Sequence, residues 1–120
     1  MLARGLTAVI AFNDLMALGV ISRLAVRGVV VPDEVSVVGF DNIPMAGMVT
    51  PHITTVALPT EMSGRVAVEL LIEQLSHPNI GIHEEMLGAQ LIVRASTGPV
   101  PSDLVTGVPR RALPGTANPA

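Results

Sequence analysis

The sequence predicts an α/β fold with a parallel β-α-β unit near its start, and three observations carry that prediction. Thr7–Phe12 (TAVIAF) and Ser36–Phe40 (SVVGF) are short, almost continuous apolar runs with β-branched content. Such runs suit strands buried on both faces of a parallel sheet. Between them, from Leu15 on, apolar residues recur at spacings of three and four, the pattern of an amphipathic helix.

The elements follow in order. Asn13 stands directly after the first run, and its side-chain oxygen can accept from a free amide of the first helical turn. Asp14 adds negative charge where the helix dipole favours it. Leu15, Leu18, Ile21 and Ala25, with Met16, Val20 and Leu24 beside them, form a wide apolar face, while Ser22, Arg23 and Arg27 lie on the other side. Gly28 falls where a left-handed residue would close the helix. Val29–Val31 and Pro32-Asp33-Glu34 read as an exposed turn into the second strand, and two strands joined by a helix imply a parallel pair with a right-handed crossover.

Asn42–Pro51 reads as a loop, Ile53–Leu58 as a third strand, and Thr60–Leu75 as a second helix. The apolar stripe of that helix is Met62, Val66, Leu70, Leu71 and Leu75, and Pro78 cannot continue it. Leu87–Ser96 holds a last strand centred on Leu91-Ile92-Val93. From residue 98 the chain becomes rich in Pro and Gly, so residues 1–97 are expected to form the domain and 98–120 a flexible tail.

Composition narrows the function. Of 120 residues, 49% are hydrophobic and 14% charged, with no Trp, Tyr or Cys; the core must be aliphatic, and neither a disulfide nor a thiolate metal site is available. The net charge is −3, and no basic cluster beyond Arg110–Arg111 offers a phosphate-backbone footprint. No apolar run is long enough to span a membrane, and Met1–Gly5 lacks the pattern of a signal peptide. His52, His77 and His83 have no ligand spacing, Glu69 and Glu73 fit a solvated helix face, and no nucleophile–base or glycine-rich phosphate motif is present. A soluble, non-enzymatic, cofactor-free domain is expected.

In open α/β sheets ligands bind beyond the carboxyl ends of the strands. Asn13 and Asp41 are the first residues past the first two ends, which makes them the candidate ligand-binding pair. Each has a plainer role beside it: Asn13 as a helix cap, Asp41 as a turn former.

The succession AFNDLMALGVISRLAVRGVVVPDEVSVVGFDNIPMA, then TPHITTVALPTEMSGRVAVELLIEQL, then LIVRAST resembles the LacI/GalR family of bacterial transcription regulators. The strand-N-D helix, V-P-x-x-V-S-V-V-G-F-D, T-P-x-x-T-T and R-x-S-T stand in that family's order and spacing. The resemblance implies part of a periplasmic-binding-protein-like (type I) effector domain, in a cytoplasmic regulator that dimerises through this domain, with Leu18, Met45, Met48 and Val49 as part of the dimer surface; their plainer role is packing into a local core. It implies a small-molecule effector of the sugar or nucleobase class, with Asn13 and Asp41 contacting it. Asp41 can accept two hydroxyls or ring N–H groups, and Asn13 can both donate and accept.

Operator DNA would be met only through a helix-turn-helix headpiece, which is absent from this chain along with most of the first subdomain. The resemblance also implies that the second helix packs on that missing subdomain, so its stripe would face water. The family often has a Gln two residues after T-T-x; here it is Leu58, which removes a polar contact. The rival readings are a fragment of a periplasmic solute-binding protein, disfavoured by the start of the chain and the R-x-S-T ending, and a truncated reading frame without activity.

Overall fold

A computed structural model describes residues 6–100; the expected tail from residue 101 on, and the first five residues, lie outside the described residues. Strands β1 (Ala8–Ile10), β2 (Ser36–Phe40), β3 (Thr54–Ala57) and β4 (Gln90–Ile92) form one sheet in the order β1-β2-β3-β4. β1, β2 and β3 run parallel, and β4 pairs antiparallel with β3. Helix α1 (Asp14–Val26) connects β1 to β2, a short 3₁₀ turn spans Pro44–Gly47, and helix α2 (Thr60–Ser76) connects β3 to the segment leading to β4. The expected α/β class and β-α-β unit are therefore present, with strand ends trimmed by a residue or two.

α1 starts and stops where its residues dictate. Asn13 is its N-cap, extended at φ −152°, and its side chain accepts from the Met16 amide at 2.8 Å. At the other end Gly28 takes φ +70°. Its amide donates to Ala25 O, and the Val29 amide donates to Leu24 O. That pair of bonds is a Schellman closure, which brings the residue after glycine back onto the last turn. Val29 is consequently buried at 6% exposure beside Leu24, a correction to the exposed turn expected at Val29–Glu34.

The core lies on one face of the sheet, between it and α1. Ala17, Ile21 and Leu24 of α1 meet Val35 and Val37, with Ala11, Val29, Ala46 and Ile53 closing the cluster. The period-two alternation of β2 explains the selection, since Val35, Val37 and Gly39 point one way and Ser36, Val38 and Phe40 the other. Leu15 and Met16, read as part of the apolar helix face, are 62% and 56% exposed. The buried stripe begins instead at Asp14 and runs through Ala17, Ile21 and Leu24.

The opposite face departs from expectation. β1 was expected to be buried on both sides, yet Ile10 is 74% and Phe12 82% exposed. The reason is the number of layers: α1 covers one face, and α2 contributes no buried residue to the other. The stripe of α2 does face solvent, with Leu71 and Leu75 exposed and Val66 and Leu70 half-buried. Among the described residues no helix is long and apolar enough to cross a membrane.

Candidate functional site

The carboxyl ends of β1, β2 and β3 make a rim, and its residues are set by strand register. Ile10 stands against Val38 and Phe40 against Val56. Asn13 follows β1 and Asp41 follows β2, at the same end of two adjacent parallel strands. Leu58 follows β3 at that same end. Adjacent strands lie about 5 Å apart, so one small molecule can span these positions.

Asn13 is half-buried, with its Oδ1 committed to the cap and its Nδ2 left to donate. Cap and ligand contact are thus compatible, because they use different atoms. Asp41 is exposed and has φ +95°, followed by Asn42 at +51°. Two successive left-handed residues that are not glycine are costly. One surface depression is lined by Leu58, Pro59 and the first turns of α2.

The left-handed turn is held from four directions. The Asp41 amide donates to Val56 O at 3.0 Å, and the Asn42 amide donates to Thr55 Oγ1 at 3.2 Å. The Ile43 amide donates to Asp14 Oδ2 at 2.9 Å. Arg94 donates through one guanidinium nitrogen to Asn42 Oδ1 at 2.6 Å and through the other to Ile53 O at 2.8 Å. Asp14 is fully buried, so its charge is used inside the fold as well as at the helix dipole.

The R-x-S-T segment ties the end of the sheet together. Residues 94–98 run on from β4 past the start of β3 and meet β2, with the Val37 amide donating to Ser96 O at 2.8 Å. Ser96 is fully buried. Its hydroxyl accepts from the Thr54 amide at 2.8 Å and donates to Val37 O at 2.5 Å, so it forms a hydroxyl-bridged rung between β2 and β3. Thr54 Oγ1 accepts from the Arg94 amide at 2.9 Å and lies 2.8 Å from Thr97 Oγ1. Residue-by-residue reading assigned no contact to Arg94, Ser96, Thr54 or Thr55. The two threonines are both buried, which a period-two pattern does not anticipate.

The other singled-out residues separate cleanly. Leu18 and Val49 are partly buried against the core, whereas Met45 and Met48 are 49% and 77% exposed. Leu58 is 42% exposed at the rim. His52, His77 and His83 are exposed; His83 lies 3.7 Å from Glu73, and Arg65 lies 3.9 Å from Glu69, surface pairs of little energetic weight. No group of three metal-ligating side chains occurs among the described residues.

Comparison with known proteins agrees with this fold. The family described as periplasmic binding protein-like domain matches residues 2–97. The HTH-type transcriptional repressor CytR of Escherichia coli (strain K12) is 38% identical over 95 residues, covering 79% of this chain and 28% of CytR. The HTH-type transcriptional repressor PurR of Vibrio parahaemolyticus is 49% identical over 69 residues, covering 58% of this chain and 21% of that protein. A LacI family transcriptional regulator from Enterococcus faecalis V583, solved with bound ribose, superposes with a TM-score of 0.72 at 37% identity, over 78% of this chain and 35% of that one. The chain thus spans under a third of the curated relatives' length. With the family's fold, strand order and motif spacing all present, the chain belongs to the periplasmic binding protein-like domains, in the form carried by LacI/GalR-type regulators.

Proposed function

We propose that this chain is the effector-sensing part of a LacI-type transcription regulator, and that Asn13 and Asp41 contact a sugar-class effector. One observation carries the reading: an amide and a carboxylate stand just beyond the carboxyl ends of two adjacent parallel strands, in a chain similar to a ribose-bound regulator. A vicinal diol offers two hydroxyl donors to the oxygens of Asp41 and an acceptor to Asn13 Nδ2. Leu58 gives the third strand end an apolar contact, which suits the less polar face of a sugar ring.

The rim supplies one wall of a cleft. The chain acts by binding and has no role in covalent chemistry; it works in the cytoplasm and meets DNA only through a separate headpiece. Residues 1–97 form the working unit and 98–120 a tail. It pairs with a second copy through this domain, with exposed Met45 and Met48 and half-buried Leu18 and Val49 at the contact. The test is inducer response in the regulator that carries this domain, comparing wild type with Asp41→Ala at matched protein levels. Response lost in Asp41→Ala supports the reading, and unchanged response sinks it. Titration of the chain with operator DNA at low salt provides a second check, because tight sequence-specific binding by this domain alone would contradict it.

A further inference from the structure

The turn at Asp41–Ile43 holds two consecutive left-handed residues, and something outside the turn must keep them there. Its most unusual support is Asp14. This carboxylate is fully buried; Oδ2 accepts from the Ile43 amide at 2.9 Å, and Oδ1 has no hydrogen-bond partner among the described residues. The space for it exists because β2 carries glycine at residue 39. A Cβ built there would sit 2.1 Å from Asp14 Oδ1 and 3.1 Å from Asp14 Cα. Gly39 has no positive φ, so what the position demands is the absent side chain.

Burying a carboxylate with one oxygen unpartnered is expensive, and helix capping does not explain it, because Asn13 already caps α1. The arrangement does couple the first residue of α1 to the backbone two residues beyond Asp41. We infer that Asp14, seated over Gly39, is the positioning residue of the ligand-facing turn: by fixing the Ile43 amide it holds Asp41 in its left-handed conformation before any ligand arrives. The inference rests on the effector reading above for the identity of the turn as ligand-facing. It makes the N-D pair a divided device, in which Asn13 faces the ligand and Asp14 braces the residue opposite.

The experiment measures amide hydrogen exchange at Ile43 and Asn42 by NMR, together with ribose binding by calorimetry, in the 120-residue chain. The variants are Asp14→Ala, Asp14→Ser, Asp14→Asn and Asp41→Ala. In Asp14→Ala, Ile43 protection is expected to fall at least about tenfold, since its amide loses the acceptor it has among the described residues, and ribose affinity falls by a similar factor. Asp14→Ser, polar but too short to reach Ile43, gives the same outcome if the alanine variant does not fold. Asp14→Asn keeps an acceptor oxygen and restores most of both quantities. Unchanged Ile43 protection in the Ala or Ser variant overturns the brace. Lost protection with unchanged ribose affinity overturns its positioning role. If Asp41→Ala binds ribose as tightly as the wild-type chain, or the wild-type chain itself gives no ribose signal, the effector reading fails instead, and Ile43 exchange still decides the brace.

Discussion

Replacing Ser96 by Ala removes one oxygen from a site with no solvent access. That oxygen forms the rung joining the start of β3 to β2, accepting from the Thr54 amide at 2.8 Å and donating to Val37 O at 2.5 Å. Thr54 and Val37 are 2% and 0% exposed, so neither group regains water when the hydroxyl goes. A buried donor or acceptor left unsatisfied costs about 1–3 kcal/mol. Two such groups, discounted because a carbonyl tolerates loss better than an amide, give about 3 kcal/mol. That is roughly a hundredfold shift toward the unfolded chain. Urea denaturation followed by circular dichroism checks the magnitude, with the denaturant slope expected to stay unchanged. A loss below about 1 kcal/mol would refute the reasoning, because it would mean that Thr54 and Val37 close the rung directly when the hydroxyl is absent.

Further outcomes follow from the same contacts. Gly39→Ala should cost about 3 kcal/mol, the upper end for overpacking, because the new methyl meets backbone as well as the Asp14 carboxylate; combined with Asp14→Ala, a denaturation double-mutant cycle should show the two losses to be less than additive. Asp41→Gly should abolish ribose binding in calorimetry while raising stability by about 0.5 kcal/mol, since glycine tolerates φ +95° and offsets that relief only in part through its unfolded-state entropy. Arg94→Ala should lower the midpoint of the same urea transition by the equivalent of about 1 kcal/mol, as the half-buried guanidinium releases Asn42 Oδ1 and Ile53 O. Phe12→Ser should alter stability by less than about 0.5 kcal/mol, because the ring is 82% exposed; a loss above about 2 kcal/mol in thermal melting would show that the ring is covered in the folded chain.

Local chemistry was enough to place α1, β2 and the candidate pair. Asn13 caps because its short side chain reaches back to the Met16 amide, and Gly28 closes because it lacks a Cβ at φ +70°; both are interactions within a few residues, so they were legible from order alone. Strand topology then brought Asn13 and Asp41 to the same end of the sheet. The motif R-x-S-T was legible as a pattern and silent as chemistry. Arg94 and Ser96 act on Asn42, Thr54 and Val37, partners about 40 to 60 residues earlier that no local period connects to them.

What the sequence by itself determined is the α/β class, the order of elements and the polar residues at the strand ends, because propensity, capping and hydrophobic period are short-range properties. Only the tertiary structure decided which apolar residues are buried and what holds the left-handed turn at Asp41–Ile43. Ile10 and Phe12 are as apolar as Val35 and Val37, yet the former are open and the latter closed, since burial depends on how many layers cover the sheet. Asp14 reads in one dimension as a surface charge at a helix start. In three dimensions its carboxylate lies over Gly39 and against the Ile43 amide, because the parallel register of β1 and β2 sets the start of α1 beside the end of β2.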